Sequence, residues 1–201
     1  MVQRDRRHDV SEAAWRVIVR EGLDRTSMRA IAHELGCTTG VVTHYFRDKQ
    51  DLILFALHQV TQALLQGMQS AQQQPLGCDR LVAVLLTFLP LDAERQNILR
   101  VWVAFLGYAI GRPELMAEHQ RSAGELRALV MSELQALQAA QHLRADIDPA
   151  VEANTLLALV NGIGLDSLIQ TQGLSPVQQQ QVVQRYVAEL RYCASIRAIS
   201  Q

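Results

Sequence analysis

Apolar residues recur at three- and four-residue intervals along most of this chain, and alternation of apolar and polar residues is confined to short runs such as 142–148. A half-buried strand needs that alternation, whereas an amphipathic helix needs the longer spacing, so the chain is expected to be all-α, with about nine helices. Its 201 residues, 49% of them apolar, can bury a core without disulfides or metals. Cys37, Cys78 and Cys193 are odd in number, far apart and in no CxxC pair, which suggests neither a disulfide framework nor a metal site. The opening MVQRDRRHDV is charged where a signal peptide is apolar, and the longest apolar runs, 81–91 and 101–111, are too short to span a bilayer. A cytoplasmic protein with no membrane partner is the expectation.

Punctuation divides the stripes into elements. From Asp9 to Glu21 the apolar residues Val10, Ala13, Ala14, Val17 and Ile18 form one helical face, which Gly22 ends. Ser27 caps a short second helix through Ile31, Ala32 and Leu35 to Gly36, and Thr38 caps a third that ends near Phe46. Asp48, with Asp51 three residues on, opens a longer fourth helix to about residue 71. Further helices are expected over 79–89, 93–110, 113–141, 149–172 and 176–194, with Pro113, Pro149 and Pro176 in first turns. Two domains follow: 1–50 as a small head, and 51–201 as a helical bundle, with the fourth helix connecting them.

Charge separates in the same way. Residues 1–50 hold nine Lys and Arg against seven Asp and Glu, and residues 51–201 hold ten against thirteen. A basic head fits a polyanionic partner. A helix, a short helix, a glycine-containing turn and another short helix form the layout of a helix-turn-helix, whose last member enters the major groove of DNA. On that last helix Val42 and Phe46 lie four apart and can pin it to its neighbours, leaving Thr39, Gly40, Val41, Thr43 and His44 outward. Threonine hydroxyls can bond bases or phosphates, Val41 and the threonine methyls can meet thymine methyls, and Gly40 permits close approach. His44 is read either as a groove contact or as a solvated residue. Lys49 opposes the dipole of its own helix, a conflict that a nearby phosphate would relieve. Arg4, Arg6 and Arg7 precede the first stripe and form either an arm reaching DNA or a solvated tail. Cys37 is either a small buried hydrophobe or a thiol with redox character.

Gly22, Thr26, Ile31, Ala32, Gly36, Thr38, Gly40, Tyr45, Phe46, Lys49 and Leu52 together resemble the N-terminal signature of tetracycline-repressor (TetR) family regulators. The resemblance spans residues 10–55 and implies a homodimeric transcription regulator, usually a repressor, that leaves a palindromic operator in double-stranded DNA when a small-molecule inducer occupies its C-terminal domain. The DNA-facing set is then Ser27, Arg29, Thr38, Thr39, Gly40, Val41, Thr43, His44, Tyr45 and Lys49. Thr43 stands where the wider family commonly has tyrosine, and Tyr45 is the candidate to take over that phosphate contact. The later segments, with Trp102, Phe105 and LVNGIGLDSLI, look most like the choline-responsive, BetI-like branch. Asn161 stands where that branch tends to have Asp and Gly164 where it has Trp, so the aromatic cage that a quaternary ammonium needs is incomplete.

Trp102, Phe105, Leu106 and Ala109 share one face of the sixth helix, either as plain core or, with Asn161 and Leu165, as a ligand pocket; the resemblance favours the pocket. The eighth helix is apolar around most of its circumference and the ninth carries a second stripe, which makes Leu156, Gly162, Gly164, Val183, Tyr186, Val187 and Leu190 the expected dimer surface, with plain core as the other reading. No phosphate loop, metal-ligand cluster or nucleophile triad stands out, so no catalytic residue, metal or cofactor is assigned and an enzyme is not expected. The rival readings are a ligand-independent dimeric regulator and a helical interaction module that has lost DNA binding.

Overall fold

A computed structural model of the chain describes residues 2–170 and 172–191, with side chains from residue 6 onward. The side chain of Arg4, and Tyr192 and Cys193, lie outside the described residues. Within them are nine α-helices: α1 (Val2–Glu21), α2 (Met28–Leu35), α3 (Thr39–Thr43), α4 (Lys49–Ala71), α5 (Cys78–Leu86), α6 (Ala93–Ala109), α7 (Pro113–Ala139), α8 (Pro149–Ile169) and α9 (Pro176–Glu189). No helix among the described residues is long and apolar enough to cross a membrane.

The chain divides into two compact units, one of residues 1–63 and 97–121 and the other of residues 64–96 and 122–201. In the first, α1 buries Val10, Ala13, Ala14, Val17 and Ile18, the stripe expected from its spacing. The helix begins at Val2 rather than at Asp9, so Arg6 and Arg7 sit on helical backbone and not on an extended arm. Periodicity marks where a helix is buried; residues 6–9 are helical but exposed. Gly22 ends α1 at φ 82°, and its carbonyl accepts from the Thr26 hydroxyl at 2.7 Å, fixing the turn into α2.

Ser27 caps α2, its hydroxyl accepting from the Ala30 N–H at 3.2 Å. Gly36 ends it at φ 63°, and the Cys37 N–H reaches back to the Ala32 carbonyl at 3.0 Å, closing a left-handed C-terminal turn that only glycine adopts at little cost. Thr38 takes the N-cap backbone position of α3, yet its hydroxyl makes no capping bond. That corrects the expected capping role. Asp48 caps α4 through the Asp51 N–H at 2.9 Å, and Asp51 reaches back to the Arg47 N–H at 3.1 Å.

In the second unit Met68, Leu81, Leu85, Leu89, Val130, Leu134 and Leu137 build the core with Leu156, Val160, Val183 and Val187. Buried Glu133 accepts from Gln72 at 2.8 Å and from Arg80 at 3.0 Å, so its charge is paired and hydrogen-bonded inside that unit. α5 stops at Leu86, short of the expected Leu89; the Thr87 hydroxyl donates to the Val84 carbonyl and Pro90 follows. Asp148 caps α8 and a Ser175/Gln178 capping box opens α9.

Burial revises the expected dimer surface. Leu156, Val183 and Val187 are 0% exposed, Leu190 and Gly164 are buried, and Tyr186 is half-buried against the same core. The fully buried side chains among them pack within their own chain, while Tyr186 keeps part of its surface outward. Of the expected set only Gly162 is exposed. α8 turns a different face outward: Val151 is 61% exposed, Leu165 44% and Ile169 69%, and Val177 of α9 is 63% exposed.

Candidate nucleic-acid interface

α3 is the element that the first unit holds up to solvent. Val42 is fully buried and Phe46 nearly so, its ring meeting Phe55 edge-on at 5.2 Å, and these two anchors fix the rotation of the short helix. Thr38, Thr39, Gly40, Thr43 and His44 are exposed, with Val41 and Tyr45 half-buried beside them. The surface is small, mostly polar and uncharged, as base edges require. The Thr43 hydroxyl donates to the Gly40 carbonyl at 3.2 Å and keeps a lone pair outward, while the Thr38 hydroxyl caps nothing.

Gly40 has no internal reason to be glycine. A Cβ there would meet nothing nearer than the Thr38 hydroxyl at 3.8 Å, and its φ is not left-handed. Helical glycine costs up to about 1 kcal/mol relative to alanine, and the fold gains nothing visible from the missing side chain.

The supports of α3 are ionic and hydrogen-bonded. Arg16 and Arg20 of α1 both bond Glu34 of α2, at 3.1 and 2.8 Å, and the Arg20 hydrogen bond, with that of Arg16, holds the Glu34 carboxyl below its ordinary range. The Lys49 ammonium donates to the Asp24 carbonyl at 2.6 Å, tying the first turn of α4 to the α1–α2 turn. Ser27 and Arg29 are exposed on the start of α2. Arg47 is exposed but engaged with Asp51. Cys37 is half-buried, its thiol donating to the Thr38 carbonyl at 3.5 Å.

Of the expected pocket residues, Phe105 and Ala109 are fully buried in the first unit, and Trp102 and Leu106 are half-buried on the same helix. Asn161 and Leu165 belong to the second unit, where both are exposed. His119 of α7 is the residue that sequence reasoning missed. Its ring lies 6.2 Å from that of Trp102 and 6.0 Å from that of Phe105, and burial pushes its pKa below the ordinary imidazole value. A lone histidine in a long helix carries no sequence signal of its own.

The BetI-type transcriptional repressor C-terminal family model matches residues 78–191, and that of the bacterial regulatory proteins of the tetR family matches residues 11–55. The transcriptional regulator PksA of Bacillus subtilis is 28% identical over 187 residues, covering 92% of this chain and 89% of that protein. BetI of Vibrio campbellii is 26% identical, covering 90% of each. Among solved structures, a regulator from Saccharomonospora viridis in complex with choline superposes with a TM-score of 0.84 at 22% identity, covering 92% of this chain and 97% of that one. A regulator from Pseudomonas aeruginosa PAO1 gives 0.75 at 29% identity, covering 93% and 90%. The C-terminal match alone spans more than half of the 201 residues, and the N-terminal match falls on α1 to α4, where the exposed face of α3 lies. The chain belongs to the TetR family of bacterial transcriptional regulators, with a BetI-type C-terminal domain.

Proposed function

We propose that this regulator is a cytoplasmic homodimeric repressor that reads a palindromic operator through α3 and leaves it when a small molecule binds. The observation that carries the reading is Gly40: a glycine that its own fold does not require, centred on an exposed face of threonines between buried anchors. A close-approaching DNA surface explains it. Thr39, Gly40, Val41, Thr43 and His44 read base edges; Ser27, Arg29, Thr38, Tyr45 and Lys49 hold the backbone.

The second copy packs on the outward face of α8 and α9, where Val151, Leu165, Ile169 and Val177 are exposed together on one chain. Such an isologous contact presents two α3 helices to half-sites about one helical turn, roughly 34 to 36 Å, apart. The inducer occupies the Trp102, Phe105 and His119 region. Choline is the first compound to try because a structural neighbour binds it.

The deciding experiment exposes the purified protein to a random-duplex library at fixed near-physiological salt and sequences what is retained. A palindrome with half-sites about one turn apart is the expected result. Retention without any enriched sequence, fading as salt rises, overturns the operator-reading assignment.

A further inference from the structure

The first compact unit joins the DNA-reading head to the opening turns of α7 through two polar contacts on α4. Gln50 donates its amide to the Glu114 carboxylate at 3.3 Å, and the His58 Nε2 lies 3.3 Å from the Glu118 carboxylate. The second Glu118 oxygen is held by Arg121 at 2.8 Å. Glu114 and Glu118 are one turn apart on α7, so a single helical edge grips α4 at two levels.

We propose that Glu114 and Glu118 are positioning residues for DNA binding: through Gln50 and His58 they fix the N-terminal half of α4, and with it the head, relative to α7. The proposal rests on the operator-reading function above. Its physical basis is that the first turns of α4 are tied to the head, because Lys49 is bonded to the Asp24 carbonyl and Phe46 packs on Phe55. A head that is loosely held must be re-ordered when it docks on DNA, and that ordering cost weakens binding without any loss of a DNA contact.

Both contacts are solvent-exposed, with the His58 side chain 57% accessible, so they add little to stability and their main effect is on placement. Their location also connects them to the ligand region. Glu118 is followed in the chain by His119, whose ring faces Trp102 and Phe105 of α6. A molecule that displaces those rings displaces the next residue's grip on α4.

The charged groups around His58 are few. On α4 no charged residue lies within four positions of it. From α7 it faces Glu118, with Arg121 on the far oxygen and Glu114 one turn away, while His119 is turned to the α6 rings. On α6, Arg100 is engaged with Asn97.

The test measures affinity of the full chain for its selected operator duplex, with denaturation midpoints taken alongside. Glu118→Ala and His58→Ala are each expected to weaken binding roughly two- to fivefold, with midpoints nearly unchanged. The double variant is expected to be no weaker than either single, because both remove one contact. Wild-type affinity in the single variants, or losses that add in the double, overturns the proposal. Losses that follow a fall in midpoint overturn it too, because they mark a purely structural role. If the wild type selects no operator, the DNA-reading function itself falls and this inference falls with it.

Discussion

The Lys49 ammonium donates to the main-chain carbonyl of Asp24 across 2.6 Å, closing the head between the α1–α2 turn and the first turn of α4. A lysine at that position opposes the dipole of its own helix, and the carbonyl offsets part of the conflict. One N–H of the ammonium is used, and two remain for a phosphate. Lys49→Ala is expected to weaken binding to all DNA sequences alike and to reduce the slope of log affinity against log salt by about one. Titrations at several salt concentrations check this; an unchanged slope with a lowered thermal midpoint would make Lys49 a strut alone.

Gly40 separates stability from function. Since a Cβ fits there without contact below 3.8 Å, Gly40→Ala is expected to raise folding stability by up to about 1 kcal/mol. The same methyl group stands on the face that approaches DNA, so operator affinity is expected to fall at least about tenfold, equivalent to 1.4 kcal/mol. Urea unfolding and operator titration of one variant give both numbers. Thr39→Ala and Val41→Ala, by contrast, are expected to change which sequence is preferred, read by repeating the duplex selection. A stabilised Gly40→Ala variant that keeps full affinity would remove the argument for close approach.

The two faces of α8 make opposite predictions. Leu156→Ala removes a side chain that is 0% exposed in the core of its own chain and is expected to cost about 2 to 5 kcal/mol of folding stability. Leu165→Arg combined with Ile169→Lys places charge on the exposed face and is expected to turn a dimer into a folded monomer with much weakened operator binding. Sedimentation and circular dichroism at matched concentration distinguish the cases. A double variant that stays dimeric would move the interface elsewhere.

Those faces also mark the limit of what the sequence discloses. Pro113, Pro149 and Pro176 announced helix starts that the structure matches, and Gly22 and Gly36 announced ends that require positive φ, because each of these is a local backbone constraint. The family spacing in residues 11–55 was legible for the same reason: Val42 and Phe46 had to point inward for α3 to dock at all. Which apolar stripe of α8 faces its own chain depends on distant partners, and Leu156 and Leu165 look alike in the sequence. Helical periodicity was likewise silent on the start of α1 at Val2, where residues 6–9 are helical yet exposed. Thr38 misled in the opposite direction: its type and place fit a cap, but its hydroxyl does not turn to the backbone. His119 became visible only once α6 and α7 had brought it beside Trp102 and Phe105.

His119 gives the chain a pH dependence whose sign is fixed by its surroundings. Burial beside the two rings lowers its folded pKa below its ordinary value of 6.5, so above that pH the imidazole is neutral in both folded and unfolded chains and contributes no slope. As pH falls through 6.5 the unfolded chain takes the proton first, and folded stability declines until the folded imidazole also titrates. His119→Phe keeps a flat ring against Trp102 and Phe105 but cannot bind a proton. Its stability is therefore expected to hold better than that of the wild type as the pH is lowered from about 7 to about 5. Urea midpoints measured across that range for both proteins check the expectation, and subtraction removes what the other histidines contribute. Parallel curves for the two proteins would mean that the folded chain protonates His119 as readily as the unfolded one, and that the ring stack does not exclude a cation.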